Sequence, residues 1–280
     1  MIAHDLSYSP VDNPSPGKLT VEQIEHYNSE GYILPIDLFS AEEIAVHREY
    51  FDSLLRKLHA LNDGRDAYTF NCYQTLCEGI YDLCVHPRIL DFVEDIVGPN
   101  IIAWASHYFC KLPRDGKTVP FHQDASYWQL NPARTVTAWI AIDDADVENA
   151  AMQFVPETHR MGLLNWREAQ GDVVLSREIA DTTGFRDPVH CCLMAGQMSL
   201  HADMLVHGSD PNESDRRRCG LTIRYCPPEV QSTNPDWRVD SIIARGVDTT
   251  GHWTNNPRPD GNTLYRDDSN IHKPKNIGGN

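Results

Sequence analysis

The sequence lacks any apolar run long enough to cross a membrane, and its cysteines form no metal-binding pairs. A membrane-spanning helix needs about 20 consecutive, mostly apolar residues, and no such run occurs here. Eight cysteines are present, but no two of them are separated by two residues, so a structural zinc site is not expected. Residues 1–7 have neither a basic segment nor an apolar core, so no signal peptide is predicted. These absences predict a cytoplasmic protein with reduced thiols.

Basic residues are also in short supply. The chain of 280 residues has 24 lysines and arginines against 40 aspartates and glutamates, which gives a formal net charge of −16. Such a surface repels nucleic-acid phosphates and anionic membranes, so neither is expected as a partner. Hydrophobic residues make up 41% of the chain, which is typical of a globular protein with a substantial core. A single domain over residues 1–280 is predicted.

The spacing of apolar residues changes near residue 100. Before it, two capping boxes, Thr20 with Gln23 and Ser40 with Glu43, predict where two helices begin. A third helix is predicted over residues 87–97, with Gly98 at its C-terminal end. A short strand is predicted over residues 32–36. After residue 100, β-branched and aromatic runs predict strands over residues 100–112, 119–124, 135–143, 151–155, 197–207 and 221–225.

Helices followed by strands indicate an α+β, mainly β fold built on an antiparallel barrel or sandwich. Residues 1–18 form a polar arm that is rich in proline and serine, and this arm is expected to be poorly ordered. Residues 251–280 form a polar tail without periodicity. The arm and the tail flank the predicted core of the domain.

Three residues have the donor types of a metal site. His122 and Asp124 are two positions apart, and on an extended strand such residues point to the same side. His207 ends a strand-like run, and antiparallel pairing can bring distant residues into one pocket. Two imidazoles and one carboxylate form the facial triad of non-heme Fe(II) oxygenases. His201 competes with His207, because residues six apart share a face of a regular strand, but His207 is preferred for its place beside a Gly-Ser turn.

An arginine run follows His207. Arg218 precedes a predicted strand, and its planar fork suits the carboxylate of a dicarboxylic cosubstrate. Arg216 stays open as a rival, because alternate strand residues share a face, whereas Arg217 is expected to point away. The favoured interpretation of Arg216 and Arg217 is a solvated turn, in which their partners are Asp210, Glu213 or Asp215.

Three segments carry a wider resemblance. They read Phe-His-Gln-Asp-Ala-Ser-Tyr-Trp at 121–128, Val-Thr-Ala-Trp-Ile-Ala-Ile-Asp-Asp at 136–144, and His-Gly-Ser-Asp-Pro-Asn-Glu-Ser-Asp-Arg-Arg-Arg at 207–218. From about residue 20 to residue 228, the chain resembles the phytanoyl-CoA dioxygenase-like family of Fe(II)/2-oxoglutarate-dependent oxygenases. The resemblance implies a double-stranded β-helix, a cupin-like jelly-roll barrel, with flanking N-terminal helices. It also implies Fe(II), 2-oxoglutarate and O₂ as the cofactor set.

The resemblance implies roles for individual residues. His122, Asp124 and His207 match the iron ligands, and Arg218 matches the residue that binds the distal carboxylate of 2-oxoglutarate. The positions that usually line this cosubstrate are Thr137, Trp139 and Ser209. Two loops depart from the family pattern. Residues 149–151 are Asn-Ala-Ala where Asn-Gly is common, and residues 156–159 are Pro-Glu-Thr-His where Pro-Gly-Ser-His is usual.

The resemblance implies hydroxylation of an unactivated C–H bond with release of succinate and CO₂. Asp124 favours hydroxylation over halogenation, because related halogenases have a small residue there that leaves room for a halide. Aromatic and amide side chains suit a small polar or cationic molecule. The hypothesis is therefore a small metabolite such as an aminoalkyl- or trimethylammonioalkyl-phosphonate. The candidate wall residues are Asn71, Tyr73, His107, Tyr127 and Trp128.

Several alternatives stay open. An acyl-CoA or natural-product hydroxylase of the same family is one, although no basic cluster is evident that would clamp a CoA pyrophosphate. A divalent-metal hydrolase or lyase is another, and a catalytically silent barrel that acts as a binding module is a third. Arg218 argues against the hydrolase, and the intact ligand set argues against the silent barrel. Assembly as a homo-oligomer is compatible with the sequence.

Overall fold

The computed structural model describes residues 5–128, 130–233 and 240–266. Within these residues, no helix combines the length and the apolar character that a membrane span needs. The α-helices are α1 Val21–Glu30, α2 Ala41–Ala60, α3 Glu78–Cys84 and α4 Pro87–Val97. The strands are β1 Tyr32–Asp37, β2 Ile101–Lys111, β3 Val119–His122, β4 Leu130–Asn131, β5 Val136–Ala141, β6 Gln153–Phe154, β7 Trp166–Glu168, β8 Arg177–Ile179, β9 Val189–His190, β10 Gln197–Ala202, β11 His207–Ser209, β12 Arg218–Cys226, β13 Gln231–Ser232 and β14 Ile242–Arg245.

The larger sheet has six antiparallel strands in the order β1-β10-β5-β12-β2-β14. Its two faces differ, because side chains alternate along each strand. On β12, Leu221 and Ile223 belong to the hydrophobic core that the sheet shares with the helices. Thr222 and Arg224 of the same strand line a cavity on the opposite face. The helices therefore cover one face of this sheet and leave the other for a binding site.

The smaller sheet has four strands in the order β3-β11-β6-β9. It contributes Val119, His122 and His207 to the cavity that the larger sheet lines from the other side. Two antiparallel sheets around such a cavity form the double-stranded β-helix, and four helices flank it. The predicted fold class is confirmed.

The three predicted helices are present, and their caps are those the sequence indicates. Thr20 Oγ1 accepts from the Gln23 N–H at 3.2 Å, and Gln23 Oε1 accepts from the Thr20 N–H at 2.9 Å. Ser40 and Glu43 repeat this reciprocal pair at 3.3 and 2.8 Å. Each capping box satisfies N–H groups that the first helical turn leaves without partners. The short helix α3 is not predicted, and its N-cap residue, Cys77, makes no side-chain cap hydrogen bond.

Two strand predictions need correction. The strand predicted over residues 119–124 ends at His122, and Asp124 begins a 3₁₀ turn that runs to Ser126. The strand predicted over residues 197–207 is two strands, β10 and β11, which belong to different sheets. A turn separates them, in which the Leu205 N–H donates to the Ala202 carbonyl at 3.0 Å. Residues 202–206, which form this turn, are as buried as the strands on either side, and the run therefore has the pattern of one continuous strand.

The polar arm is fastened to the body, contrary to the expectation of poor order. Residues 5–18 contain no helix or strand, but the buried carboxylate of Asp95 accepts from three successive N–H groups. These belong to Gly17, Lys18 and Leu19, at 2.7, 2.7 and 2.8 Å. Farther along the arm, Leu6 is buried. The carboxylate on α4 therefore holds the arm where it enters the first helix.

The described part of the polar tail packs near α3. Arg258 pairs with Asp82 at 2.6 Å, and the Leu264 carbonyl accepts from Arg65 Nη1 at 2.6 Å. Trp253 is buried, and its Nε1 donates to the Pro228 carbonyl at 3.3 Å. The rest of the predicted tail, residues 267–280, lies outside the described residues, as do residues 1–4 of the arm.

The two loops that depart from the family pattern keep the conformation that glycine usually provides. Ala150 has φ 65° and Glu157 has φ 71°, both in the left-handed region. The left-handed conformation raises the conformational energy of a residue with a Cβ by roughly 1–2 kcal/mol. The loops therefore retain the glycine-type turn at some cost in stability, and neither residue is among those that line the cavity.

Gly220 allows a large aromatic ring to lie flat against β12. A Cβ added at Gly220 would come within 2.0 Å of Trp139 Cζ2 and 2.2 Å of Trp139 Cε2. We expect Gly220→Ala to lower the free energy of unfolding by about 1–3 kcal/mol, because the fully buried indole must move within a packed interior. Urea unfolding measures this. The matched control is Gly116→Ala, since a Cβ there meets no atom within 4 Å, and equal stability of the two variants would contradict the prediction.

Candidate metal centre

Two neighbouring strands of the smaller sheet bring the predicted ligands together. His207 on β11 is directly opposite His122 on β3 in the antiparallel register. Gly208 permits the close approach of these strands, because a Cβ there would lie 2.7 Å from the Val119 carbonyl oxygen. Asp124 follows through Gln123, whose backbone is still extended at φ −105° and ψ 126°. The extended step keeps Asp124 on the side of His122, although the strand has already ended.

The three side chains form a compact buried cluster. One ligand atom from each of His122, Asp124 and His207 lies within 4.8 Å of the others, and this is the one such group among the described residues. His122 Nε2 is 3.6 Å from Asp124 Oδ1. His122 Nδ1 bonds to the Pro120 carbonyl at 2.8 Å, and His207 Nδ1 bonds to the Leu205 carbonyl at 2.9 Å. Since a carbonyl only accepts, each Nδ1 carries the proton, and each Nε2 keeps a lone pair for a metal.

The electrostatics of the cluster favour the ligand forms that a divalent metal requires. Burial, followed by the neighbouring His122, lowers the pKa of His207 to about 4, so this imidazole is neutral at pH 7. Burial opposes ionisation of Asp124, but the positive charge of Arg224, together with His122 and His207, holds the pKa of Asp124 well below its ordinary value. Thr137 Oγ1 donates to Asp124 Oδ2 at 3.4 Å. Neutral imidazoles and an ionised carboxylate are the donor set that Fe(II) binds.

Arg218 is buried in the same cavity, at the first position of β12. Its Nη2 donates to Ser209 Oγ at 3.1 Å, whereas its Nε has no hydrogen-bond partner among the described residues. Its Cζ lies 5.9 Å from the centre of the Trp139 ring. A buried guanidinium with an unused donor is an incomplete arrangement that a carboxylate would complete through a forked pair of hydrogen bonds.

The structure separates the three arginines of the run. Arg216 is at the surface, where it pairs with Asp146 at 2.8 Å and Glu148 at 2.7 Å. Arg217 turns toward the helices and pairs with Asp52 at 2.5 Å and Asp143 at 2.7 Å. The prediction that Arg217 points away from the cavity is confirmed, and Arg216 is not the rival that the sequence left open. The acidic partners predicted for these two arginines were wrong. The side chains pair with carboxylates of the loop after β5 and of α2, and not with carboxylates of their own loop.

His201 lines the cavity from β10 but is not one of the clustered ligands. The expectation that it shares a strand face with His207 was wrong, because the two belong to different sheets. Their rings nevertheless approach to 4.8 Å across the cavity. Within the described part of the chain, neither ring nitrogen of His201 has a hydrogen-bond partner, and burial holds its pKa well below the ordinary value. His201 is thus a neutral imidazole facing the metal cluster.

Only some of the residues predicted to contact the cosubstrate or the substrate line the cavity. Trp139 and Ser209 line the cavity, whereas Thr137 contacts the Asp124 carboxylate instead. Tyr127 places its ring 5.9 Å from the ring of His122. Trp128 lies beside Arg224, with 5.0 Å between its ring centre and the Arg224 Cζ.

None of the five predicted wall residues, Tyr127 and Trp128 included, is part of the cavity lining. Tyr73 is part of the hydrophobic core beside the helices, where its ring packs against Phe70, so its prediction was wrong. Asn71 is exposed, and its carbonyl accepts from Arg266. His107 is buried on β2, and its Nε2 is bonded to the Tyr68 carbonyl at 2.9 Å.

Arg224 was not predicted from the sequence as a site residue. It lines the cavity close to the cluster of candidate metal ligands. Its Nε is 3.8 Å from Asp124 Oδ2. A signal was present, since Arg218, Thr222 and Arg224 are separated by even numbers of residues and share one face of a single strand. A charged residue inside a predicted apolar strand of residues 221–225 indicates a buried polar site.

A double-stranded β-helix with this buried cluster between its sheets is the architecture of Fe(II)/2-oxoglutarate oxygenases, and comparisons agree. The family model for phytanoyl-CoA dioxygenase (PhyH) matches residues 27–220. The peroxisomal phytanoyl-CoA dioxygenase of Bos taurus is 26% identical over 230 residues, which cover 74% of this chain and 68% of the relative. A methylphosphonate hydroxylase of Gimesia maris is 26% identical over 248 residues, covering 83% and 91%. The solved structure of the non-heme monooxygenase ThoJ superposes with a TM-score of 0.74 at 26% identity and covers 85% and 88%.

The chain belongs to the phytanoyl-CoA dioxygenase (PhyH) family. It is a 2-oxoglutarate-dependent oxygenase, and its cofactor set is Fe(II), 2-oxoglutarate and O₂. The residues present fit this set, because the cavity contains a neutral-imidazole and carboxylate cluster together with a buried arginine that has an unused donor.

Proposed function

We propose that the chain hydroxylates an unactivated C–H bond of a small polar metabolite. In this proposal His122, Asp124 and His207 hold Fe(II), and Arg218 with Ser209 binds the distal carboxylate of 2-oxoglutarate. The observation that carries the proposal is the placement of the buried cluster and the Arg218 fork in one cavity. With Fe(II) bound, 2-oxoglutarate and O₂ supply the oxidising equivalent, so that C–H, 2-oxoglutarate and O₂ give C–OH, succinate and CO₂.

The residues of the chain position this chemistry. The Nδ1–H groups of His122 and His207 are fixed by backbone carbonyls, which orients both rings toward the cluster. Thr137 restrains the Asp124 carboxylate from β5. Ser209 holds one end of the Arg218 guanidinium and leaves Nε for the cosubstrate. Burial on both sheets excludes bulk water, which strengthens each of these charged contacts.

The substrate class that we propose is a small phosphonate, such as an aminoalkyl-, trimethylammonioalkyl- or methyl-phosphonate. Support comes from the relative described as methylphosphonate hydroxylase, of whose length 91% is covered. The cavity is also lined by charged and aromatic side chains that suit a small ion, among them Arg224, Phe109 and Trp139. The second candidate is an acyl-CoA thioester, which is favoured by the name of the mammalian relatives.

The test is substrate-stimulated formation of succinate by the anaerobically Fe(II)-loaded protein after addition of 2-oxoglutarate and O₂. The panel contains methylphosphonate, 2-aminoethylphosphonate, 2-(trimethylammonio)ethylphosphonate and phytanoyl-CoA, and mass spectrometry follows each organic product. We expect a phosphonate to raise succinate formation and to gain one oxygen atom. Efficient turnover of phytanoyl-CoA with no oxidation of any phosphonate would contradict the proposed substrate class and favour an acyl-CoA thioester.

Two further outcomes would weigh against the mechanism itself. If the protein binds iron but not 2-oxoglutarate, the role of Arg218 fails, and a divalent-metal hydrolase or lyase becomes the better explanation. If it binds neither, the barrel acts as a binding module. Hydrolysed products in the same mass spectra would identify the hydrolase directly.

A further inference from the structure

We propose that Arg224 anchors a phosphonate-type oxyanion of the substrate beside the metal centre. The inference rests on the proposed function of the same cavity and assigns its substrate a negative charge. Arg224 is placed on the cavity face of β12, six positions after Arg218, and only 8% of its surface is exposed. It is a second buried arginine in a site that needs only one for the cosubstrate.

The guanidinium of Arg224 is incompletely satisfied. Its Nε has no hydrogen-bond partner among the described residues, and the nearest carboxylate oxygen, Asp124 Oδ2, is 3.8 Å away. That separation gives electrostatic attraction but exceeds hydrogen-bond length. A buried charge of this kind is costly unless it is paired and hydrogen-bonded, which indicates that a ligand completes it.

Two tryptophans hold the guanidinium in place. Its Cζ lies 5.0 Å from the ring centre of Trp128 and 5.9 Å from that of Trp104. The two indoles contact each other edge to face at 4.6 Å. Cation–π contact with rigid rings positions the arginine without using its N–H donors. The donors therefore remain available to an oxyanion.

Charge balance in the cavity also requires an anion. The charged side chains that line it are Asp124, Arg218 and Arg224, so one positive charge is left over. Fe(II) adds two positive charges and 2-oxoglutarate adds two negative charges, so the loaded cavity keeps one surplus positive charge. Asp203 is outside this lining, and its carboxylate accepts from the Thr135 N–H at 3.0 Å.

The position of Arg224 distinguishes it from the cosubstrate arginine. Arg218 starts the strand and contacts Ser209 on the smaller sheet, whereas Arg224 is near Asp124 and the aromatic residues that follow it. An anion held by Arg224 would thus bind close to the metal cluster, on the side of Trp128. A substrate with a short carbon chain would then present a C–H bond next to the metal.

The test measures binding without chemistry. Anaerobic protein loaded with Fe(II) and 2-oxoglutarate is titrated calorimetrically with methylphosphonate and with its neutral dimethyl ester. We expect wild-type protein to bind the anion, and Arg224→Gln to weaken this binding by roughly 10- to 100-fold, as loss of a charge-assisted hydrogen bond implies. Arg224→Lys should recover part of the affinity. The neutral ester should bind both proteins equally weakly.

Controls separate a substrate contact from a structural role. Arg216→Gln makes the same substitution in an exposed arginine of the preceding loop and should leave methylphosphonate affinity unchanged. The affinities of Arg224→Gln for Fe(II), by chelator competition, and for 2-oxoglutarate should stay within about threefold of wild type. A parallel loss of Fe(II) affinity would show that Arg224 only positions Asp124, which would overturn the proposal.

The outcomes also separate this proposal from the proposed function. Anion binding that depends on Arg224, without oxidation of any phosphonate, supports the anchor and contradicts the phosphonate hydroxylase. Oxidation of a phosphonate with unchanged KM in Arg224→Gln supports the hydroxylase and overturns the anchor. Absence of methylphosphonate binding by the wild-type protein likewise overturns the anchor.

Discussion

Asp124→Ala is expected to abolish substrate-stimulated succinate formation and to weaken Fe(II) binding by at least about 100-fold. The carboxylate is the one anionic donor of the buried cluster, and loss even of a group that only orients a ligand costs 10- to 100-fold in affinity. Metal affinity is measured by competition with a chelator in chloride-free buffer, since chloride can take the place of a missing carboxylate. Succinate is measured in the same samples.

His201→Gln is the matched control for this prediction. His201 is equally buried and faces the same cavity, but it is not one of the clustered ligands. We therefore expect His201→Gln to retain Fe(II) within about threefold, whereas His207→Gln should lose it as Asp124→Ala does. Tight Fe(II) binding by Asp124→Ala, or loss of iron from His201→Gln alone, would show that the ligand set is wrong.

Arg218→Met is expected to raise the KM for 2-oxoglutarate by about 100-fold, with a smaller effect on kcat. Truncating one partner of a buried hydrogen-bonded charge pair costs roughly 2–5 kcal/mol, and each 1.4 kcal/mol is tenfold. Methionine preserves much of the length and burial of the side chain while removing the fork. Initial rates of succinate formation at varied 2-oxoglutarate concentration give both constants.

Arg218→Lys should recover only part of the affinity, because a single ammonium cannot make the forked pair. The control is Arg216→Met, which removes the neighbouring arginine that pairs with Asp146 and Glu148 at the surface. An unchanged KM for 2-oxoglutarate in Arg218→Met would contradict the assignment and direct attention to Arg224. A loss of secondary structure in this variant would be detected by circular dichroism before kinetics are interpreted.

Those parts of the fold and of the candidate site that depend on contacts between residues close in sequence could be predicted. The capping boxes at Thr20 and Ser40 use contacts three residues apart, so the sequence contains the whole interaction. The clustering of His122 with Asp124 depends only on an extended step through Gln123, which alternation anticipates. Arg218 could be distinguished from Arg217 for the same reason.

The features that the sequence did not predict depend on contacts between segments that are distant in the chain. The buried turn between β10 and β11 contains Asp203, whose N–H and carboxylate both bond to Thr135, and no local pattern reveals such a partner. Tyr73 was expected in the pocket, but its place in the helical core is set by packing against Phe70. Arg224 was overlooked because the strand around it is otherwise apolar, and its partners come from other strands and loops.

The presence of Arg218 and Arg224 on the same strand has a consequence for the evolution of specificity. Six residues of strand separate their Cα atoms by roughly 20 Å, so in the proposed assignment β12 fixes the distance between the two anion-binding side chains. An insertion or deletion of one residue would turn one arginine toward the helices, and the spacing cannot drift gradually. With this spacing fixed by the strand, adaptation to a longer or shorter substrate requires changes in the surrounding loops, such as the segment that follows β3.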